Sequence, residues 1–415
     1  MELRIRRIAL VLPLLALALA YAVCGSPARG PESTPANAPT PAGTPLPNQP
    51  PQVAAGAALI ADQGYEALRE GSFIDPDDLA WSATVDFGDG TPVQPLSLDG
   101  QSFRLRHTYA RTGSFAATVS VADSRGAIGN AVVPIIVAPR RVVFVQGIES
   151  ESRCPGGSGF ASHAPRWVGA YLASDATMQA QLPIADEDLV MFSYSGRYCS
   201  GNGTHGEAAS YGPGDTCDGI EGATGAASRL RSLIDTLAPG RVTILGHSMG
   251  GLVAAYLAGE DPDWAGQHIA SIVAFDSPLG GVPRLNLEAL RFAGAVTGGC
   301  SFDSRSVEDM KDGDSLILRT ARNAAHVVPF YTLDATAKEG LFVGIREAVP
   351  GDRTHLRGEI LGWKVSASHS DLWDAAPRGP LSANDKRRPV GCALLRFSAK
   401  DCANNNDPPM VQSVR

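Results

Sequence analysis

Several features are scarce in this sequence, and each scarcity argues against a class of protein. The sequence has no long basic run and no interleaving of basic with aromatic residues, and 35 basic side chains stand against 43 acidic ones. Nucleic acid is therefore not expected as a partner. The lack of a C-x-x-C pair or a Cys/His cluster argues against a metal site, and no cofactor is expected. The one long apolar run, Ile8 to Ala22, is short for a helix that spans a bilayer.

The amino-terminal residues are typical of an export signal. The basic stretch RIRR at residues 4–7 precedes the apolar run, which is the order of the charged and hydrophobic regions in a signal peptide. Small residues before position 23 suit ordinary cleavage, whereas Cys24 in AVCGS suits lipoprotein processing and a lipid anchor on that cysteine. We therefore predict a signal peptide over 1–24 and an exported protein, either secreted or anchored to the outer face of the membrane.

Beyond Cys24 the cysteines form an even set, as expected for disulfides in an exported chain. They are Cys154, Cys199, Cys217, Cys300, Cys392 and Cys402. Closeness in the sequence favours a bond between Cys199 and Cys217 and another in the tail between Cys392 and Cys402. That choice leaves Cys154 for Cys300, although other pairings of six cysteines stay open.

The composition of the remaining chain predicts four segments. Residues 25–57 are rich in Pro, Ala, Thr and Gly, which predicts an extended linker. Residues 58–138 alternate apolar and polar side chains, as the strands of a small β-sandwich do. Residues 140–380 alternate short apolar strands with helices, which predicts an α/β domain with a mostly parallel sheet and helices on both faces. Residues 381–415 form a carboxyl-terminal tail.

The alternating segment carries a specific pattern of strands and turns. The apolar residues of WSATVDF, from Trp81 to Phe87, fall on one face of a strand that ends in the turn GDG. VDFGDG and HTYARTGSFAATVSVADSRG resemble the PKD family of immunoglobulin-like sandwiches, which stand beside extracellular enzymes and surface proteins. The resemblance implies contact with polysaccharide or protein, and it makes His107 a strand residue rather than a catalytic one. Turn chemistry explains Asp86 and Asp89 better than a calcium site does.

The stretch VTILGHSMGGLVAAYL, residues 242–257, places a serine between glycines where a predicted strand meets a predicted helix. Gly246, Ser248 and Gly250 fit G-x-S-x-G in the context that makes this motif a nucleophile elbow. The amino terminus of the helix then faces Ser248 and favours negative charge there. A serine hydroxyl is a poor nucleophile near neutral pH, so we expect a histidine base downstream that is itself oriented by a carboxylate.

Four histidines follow Ser248 in the sequence. His268 and His326 begin predicted strands and so lie at the wrong edge of a parallel sheet, because such sites form beyond the carboxyl ends of the strands. His355 lies in the charged stretch GDRTHLRGE. His369 follows the strand-like run EILGWKVSAS and begins a loop, so we predict His369 as the base.

The acid is expected after the strand predicted over 326–333. Asp334 stands at the end of that strand, and Glu339 follows just before Gly340. The residue pattern alone slightly favours Asp334. Asp276 in FDSPLGG also ends a predicted strand, but it comes one strand too early for the order serine, acid, histidine, so a structural turn role is favoured there.

Residues 140–376 resemble the α/β-hydrolase lipases and esterases. VVFVQGI, VTILGHSMGGLVAAYLA, FDSPLGG, VPFYTLDATAKEGLFV and HSDLW occur in the order of that superfamily. In similar bacterial lipases the acid precedes a glycine and an apolar pair, which puts Glu339 first and Asp334 second as the acid. The resemblance implies a carboxylic ester hydrolase that acts through an acyl-enzyme, with an ester or an acyl-lipid as substrate. Two other classes stay open: a surface adhesion or scaffold protein with an inactive hydrolase domain, and an acyltransferase or amidase with the same triad.

The oxyanion hole is expected from two backbone N–H groups. One belongs to Met249, next after the nucleophile, and the resemblance assigns the other to Ile148, although Gln146 stands where similar lipases have histidine. Two segments are expected near the site: the Gly/Ser-rich loop at 198–217, which is long for an idle connection, and the apolar segment at 284–299, which forms either a lid or a packed helix.

Overall fold

The described part of the chain is a β-sandwich followed by an α/β domain. In the computed structural model the described residues are 47–148, 150, 184, 188–195, 198–200, 213–282, 300, 304–311, 315–335, 358–365, 393 and 410–414. The strands of the sandwich are β1 (Gln52–Ala54), β2 (Leu59–Asp62), β3 (Glu66–Ile74), β4 (Trp81–Asp86), β5 (Gln94–Leu96), β6 (Leu98–Asp99), β7 (Ser102–Thr108), β8 (Gly113–Asp123) and β9 (Ile128–Ala138).

The α/β domain contains the following elements within the described residues. Its strands are β10 (Arg141–Val145), β11 (Leu189–Phe192), β12 (Tyr198–Ser200), β13 (Val242–His247), β14 (Ile269–Phe275), β15 (Phe330–Ala335), β16 (Gly358–Val365) and β17 (Met410–Val414). Its helices are α1 (Ala226–Thr236), α2 (Met249–Glu260), α3 (Pro262–His268), α4 (Arg305–Asp309), α5 (Leu316–Ala321) and α6 (Ala324–Val327). None of these described helices has the length and hydrophobicity that a membrane span requires.

The sandwich consists of two sheets around one apolar core. One sheet has the order β2-β9-β8-β4-β5 and the other the order β1-β3-β7-β6. The alternation that predicted these strands is confirmed, since Ala83, Val85 and Phe87 are buried on one face. The sandwich begins before residue 58, however, because the three residues of β1 pair antiparallel with β3. A strand this short, at the end of a proline-rich segment, has too few residues to show an alternating pattern.

The aspartates of the GDG turn cap backbone groups, as turn chemistry predicts. Asp86 Oδ1 accepts the N–H of Gly88 at 2.8 Å, and Asp89 Oδ1 accepts the N–H of Thr91 at 3.0 Å. His107 Nε2 lies 2.7 Å from Asp89 Oδ2, and its ring stacks on a neighbouring buried phenylalanine. Burial alone would raise the pKa of Asp89, but the hydrogen bonds from His107 and Thr91 outweigh it and lower the pKa to about 2. His107 therefore has the structural role predicted for it.

The α/β domain is built on one eight-stranded sheet. Its order is β12-β11-β10-β13-β14-β15-β16-β17. The six inner strands are parallel, and the first and last strands in this order, β12 and β17, run antiparallel to their neighbours. The continuous apolar runs of β13 and β14 are buried along almost their whole length, which is what a parallel sheet covered by helices requires. All six described α-helices contribute to one core cluster with sheet residues such as Val145, Ile244 and Ile272.

The strand predicted over 326–333 is displaced toward the carboxyl terminus. The chain forms the short helix α6 around His326, and pairing begins only at Phe330. Pro329 explains the shift, because it has no N–H to donate and only its carbonyl joins the ladder, accepting the N–H of Ile272 at 3.0 Å. Likewise His268 ends helix α3 rather than beginning β14. Both histidines nevertheless lie toward the amino edge of the parallel sheet, where sequence reasoning expected them.

The two domains meet at the amino edge of the parallel sheet. The Asp62 carboxylate accepts three hydrogen bonds from Arg241: from its backbone N–H at 3.1 Å, from Nε at 2.9 Å and from Nη2 at 2.6 Å. Arg140, whose side chain is fully buried, lies over the ring of Tyr65 and has Nη2 3.8 Å from Asp62. Burial alone would raise the pKa of Asp62, but the charges of Arg241 and Arg140 outweigh it and lower the pKa. This group of charges joins the sandwich to the sheet.

Candidate active site

Ser248 sits on a sharp turn between β13 and α2. It is not glycine, yet its backbone adopts φ 52° and ψ −127°, a conformation that costs a non-glycine residue roughly 1–3 kcal/mol. Two hydrogen bonds hold the turn: the N–H of Ser248 donates to the carbonyl of Phe275 at 2.9 Å, and the N–H of Gly251 donates to the carbonyl of Ser248 at 3.2 Å. The predicted strand, turn and helix around the serine are therefore present, and the serine is the first residue beyond the carboxyl end of β13.

Gly250, two residues after Ser248, is required by a close approach of two backbones. A Cβ on Gly250 would lie 2.2 Å from the carbonyl oxygen of Val145 and 2.5 Å from that of Gln146. Both atoms belong to backbone that cannot move aside without disturbing β10. The G-x-S-x-G pattern thus lets helix α2 start directly against the end of the neighbouring strand.

The loop after β10 lies against Ser248, where the oxyanion loop is predicted. A Cβ on Gly147 would come within 2.6 Å of the Ser248 Cβ and 3.1 Å of its Oγ. Ile148 follows in this loop and is half-buried against the core, while Met249 is fully buried as the first residue of α2. The structure therefore places the loop that contains Ile148 beside Ser248, and Met249 follows the serine directly in α2.

Two buried carboxylates lie at the carboxyl ends of the next two strands. Asp276 follows β14 with φ 44° and is fully buried, and its N–H donates to the carbonyl of Leu333 at 2.9 Å. Asp334 lies near the end of β15 and is 4% exposed. Strands β13, β14 and β15 are neighbours in the sheet, so Ser248, Asp276 and Asp334 lie on successive strands at the carboxyl edge.

The remaining predicted triad residues, Glu339 and His369, lie outside the described residues, as does His355. Strand β16, which pairs parallel with β15, ends at Val365, and His369 follows it in the sequence. His268 is held at the other edge, where its Nδ1 lies 2.8 Å from the carbonyl of Trp264 and its ring stacks on that indole.

The disulfide observed in the structure differs from the predicted pairs. Cys217 is bonded to Cys300 across 83 residues of sequence, so the predicted pairs Cys199 with Cys217 and Cys154 with Cys300 are wrong. Closeness in the sequence is misleading here because helix α4 packs against the chain around Cys217: the N–H of Ser306 donates to the Cys217 carbonyl at 3.3 Å. The predicted pair of Cys392 and Cys402 lies outside the described residues, as do most of the two segments expected near the site, 201–212 and 283–299.

No metal centre accompanies these groups within the part of the chain that the structure describes, where no three His, Cys, Asp or Glu side chains cluster closely enough to hold an ion.

Comparison with known proteins identifies both domains. Residues 48–137 match the PKD domain model, and residues 226–297, which include the serine turn, match the model of a PGAP1-like α/β domain. No curated protein matches the chain.

Several solved structures align with the chain at low identity. A hyperthermophilic esterase from the archaeon Pyrobaculum calidifontis aligns at 12% identity and a TM-score of 0.36, covering 69% of this chain and 83% of its own. RedJ, solved with a polyethylene glycol molecule in its active site, aligns at 16% identity and a TM-score of 0.35, covering 62% of this chain and 92% of its own. The PKD domain of an M14-like peptidase from a Thermoplasmatales archaeon aligns at 15% identity and a TM-score of 0.19, covering 22% of this chain and 98% of its own. These scores are low, so the assignment of the domains depends on the family models and the sheet topology. The chain therefore contains a PKD domain at residues 48–137, followed by an α/β domain whose residues 226–297 are PGAP1-like.

Proposed function

We propose that the α/β domain is a serine hydrolase that cleaves carboxylic esters, including acyl-lipids, through an acyl-enzyme intermediate. One observation carries the proposal: Ser248 has φ 52° at the carboxyl edge of the sheet, with the Gly147 loop packed against its side chain. A conformation that costs free energy is retained where it exposes a hydroxyl to a reacting group. The match to a PGAP1-like α/β domain spans this turn and supports the same class of chemistry.

In this mechanism Ser248 Oγ attacks the ester carbonyl while His369 accepts its proton. The carbonyl oxygen becomes negatively charged and is stabilised by the N–H groups of Met249 and Ile148, each worth on the order of 3 kcal/mol in the transition state. Collapse of the tetrahedral intermediate breaks the C–O bond, and His369 returns the proton to the departing alcohol. A water molecule then repeats the sequence on the acyl-enzyme and releases the carboxylic acid.

The direct test compares the wild-type protein with Ser248→Ala on a series of p-nitrophenyl esters of increasing acyl length. We expect turnover to fall at least about 10³-fold in the variant, because the nucleophile is lost. Ser232→Ala is the matched control, since Ser232 is an exposed serine on α1 whose hydroxyl bonds only within the helix. A fluorophosphonate probe should label the wild type and not Ser248→Ala. Equal hydrolysis by wild type and Ser248→Ala would overturn the proposal.

The same experiment separates the alternative classes. A wild-type protein that neither turns over esters nor takes the probe would indicate an inactive hydrolase domain in a surface adhesion or scaffold protein. A labelled protein that prefers an added alcohol or amine over water, or that cleaves amides, would indicate an acyltransferase or amidase with the same triad. Product analysis with competing acceptors distinguishes these outcomes from ester hydrolysis.

Two candidates remain for the acid that orients the base. Asp334 is favoured by its burial at the end of β15, two strands from the nucleophile's strand. Glu339 is favoured by the resemblance to lipases whose acid precedes a glycine and an apolar pair. Asp334→Asn and Glu339→Gln, measured side by side, decide between them. Substitution of the residue that acts as the acid should lower kcat by up to about 10⁴-fold, and the other variant should keep a kcat close to that of the wild type.

We also propose that the protein is exported and that the PKD domain contacts polysaccharide or protein where the enzyme acts. The support is the order of basic and apolar residues before Cys24 and the PKD match at 48–137. Mass spectrometry of the mature amino terminus tests the first part. A lipid-modified Cys24 indicates an anchored protein, an earlier cleavage indicates a secreted one, and an intact Met1 would contradict export.

A further inference from the structure

Two hydroxyl groups fix the loop that follows β10, and neither has a part in the proposed chemistry. The Ser150 hydroxyl donates to the carbonyl oxygen of Gly147 at 2.7 Å. The Tyr194 hydroxyl donates to the carbonyl oxygen of Gln146 at 2.5 Å. These carbonyls belong to two successive peptide units, so each unit between Gln146 and Ile148 has its own anchor.

The geometry of the peptide bond transmits this anchoring to the N–H of Ile148. A trans peptide unit is planar, and its C=O and N–H point in opposite directions. The carbonyl of Gly147 and the N–H of Ile148 belong to the same unit, so a hydrogen bond that fixes the first also fixes the direction of the second. An oxyanion donor contributes most when it is already aimed at the position where charge develops. Ser150 therefore controls the aim of the expected donor.

Tyr194 is itself held firmly, as an anchor must be. Its side chain is 1% exposed and its ring packs edge-on against Phe192 at 5.0 Å between centroids. Its backbone carbonyl accepts a hydrogen bond from Arg229 Nη1, and Nη2 of the same guanidinium bonds to Asp218 Oδ2 at 2.7 Å. The end of β11 is thus attached to α1, and through the Tyr194 hydroxyl it sets the position of the loop from the neighbouring strand β10.

We propose that Ser150 and Tyr194 are positioning residues that aim the Ile148 N–H at the oxyanion. The inference rests on the proposed function and names residues that neither the motif nor the family resemblance assigns. Neither hydroxyl needs to touch the substrate. Each acts through a backbone carbonyl, so its loss should weaken transition-state stabilisation more than substrate binding.

The test uses Tyr194→Phe and Ser150→Ala in the full-length protein, assayed on the p-nitrophenyl ester that the wild type cleaves best. We expect kcat to fall about 10-fold or more in each variant, less than the 10²–10³-fold typical of losing a whole donor. KM should stay within about twofold, since ground-state binding is unchanged. The rate of labelling by a fluorophosphonate should fall in parallel with kcat, because the phosphonyl oxygen occupies the same hole. Ser150→Thr keeps the hydroxyl and should restore most of kcat.

Matched controls distinguish a misdirected Ile148 N–H from a general loss of structure. Tyr256→Phe removes another largely buried tyrosine hydroxyl, one that bonds to Glu260 at 3.0 Å toward the far end of α2, and should leave kcat unchanged. The melting temperature of every variant should stay above the assay temperature. If Tyr194→Phe does not fold, the pair Ser150→Ala and Ser150→Thr decides alone.

The outcomes distinguish this inference from the proposed function. If the wild type hydrolyses esters, Ser248→Ala does not, and Ser150→Ala keeps full kcat, the positioning role is overturned while the hydrolase stands. The positioning role is also overturned if Tyr194→Phe and Ser150→Ala raise KM without changing kcat, or if Ser150→Thr does not restore kcat. If the wild type and Ser248→Ala are equally active, the hydrolase proposal itself has failed.

Discussion

The two edges of the parallel sheet differ in their main structural feature. At the amino edge, charge holds the structure together: Asp62, 5% exposed, bonds to Arg241 and lies beside the buried Arg140. At the carboxyl edge the main feature is a backbone conformation: Ser248 has φ 52° and lies against the loop that contains Gly147. Under the proposed function, the amino edge serves stability and the carboxyl edge carries the chemistry, and the carboxyl edge is the usual location of sites in open α/β sheets.

Mutations at the two edges should have different effects. A change at the amino edge should alter stability and the attachment of the sandwich but leave the chemistry intact. A change at the carboxyl edge should damage the chemistry whether or not the protein becomes less stable. Substitutions at each edge can test this separation.

Among substitutions outside the proposed triad and oxyanion hole, Gly250→Ala should have the largest effect. The new Cβ would lie 2.2 Å from the carbonyl oxygen of Val145, so α2 must shift and Ser248 must move with it. Displacing a catalytic group by about 1 Å costs on the order of 10²-fold in rate, so we expect at least that loss of kcat/KM. Gly266→Ala is the matched control, because nothing lies within 4 Å of its new Cβ in α3, and it should keep full activity. An active Gly250→Ala would show that the turn tolerates movement and would remove the contrast between the edges.

Asp62→Asn should show the opposite behaviour. The substitution keeps the size of the side chain but leaves Arg140 and Arg241 without their counter-charge. We expect about 2–4 kcal/mol of lost stability in denaturant unfolding, toward the lower part of the range for broken buried pairs because Arg241 is partly exposed. Glu70→Gln is the control: its ion pair with Arg104 is largely exposed and should change stability by less than about 1 kcal/mol. Ester turnover should be unaffected in both, and a loss of kcat in Asp62→Asn would couple the two edges.

The stability contributed by Asp62 should also depend on pH. The pKa of this carboxyl is lower in the folded protein than in the unfolded chain, since Arg241 and Arg140 favour its charged form over the opposing effect of burial. The contribution is therefore complete above the unfolded pKa of about 4 and is lost as the pH falls through the lower folded pKa. The difference in unfolding free energy between wild type and Asp62→Asn should be constant from neutral pH down to about pH 5 and should shrink below about pH 4. A difference that grows on acidification would contradict this sign.

The features that could be predicted from sequence are those that short segments determine. The serine turn depends on a strand, two glycines and a helix within the residues 242–257, and the structure has all of them in place. The alternation in WSATVDF likewise sets which side chains are buried. These patterns are local, so a single sequence contains all the information that they need.

The features that could not be predicted depend on contacts between distant segments. The bond from Asp62 to Arg241 joins residues 179 apart, the disulfide joins residues 83 apart, and the Tyr194 hydroxyl reaches the carbonyl of Gln146 across 48 residues. Neither end of such a contact has a pattern of its own. The late start of β15 is a different case: Pro329 was visible in the sequence, and its missing N–H was a signal that could have corrected the predicted strand.

Ser248→Gly should give the smallest effect, and it tests the strain at the carboxyl edge directly. At an ordinary position glycine is less stable than alanine by roughly 0.5–1 kcal/mol, because the unfolded chain gains freedom. At φ 52° and ψ −127° a Cβ is unfavourable, so Ser248→Gly should be more stable than Ser248→Ala, by about 1 kcal/mol. Both variants lack the nucleophile, so the difference in their unfolding free energies isolates the backbone. If Ser248→Ala is the more stable of the two, Ser248 is not strained, and the carboxyl edge owes its reactivity to the surrounding groups rather than to the turn.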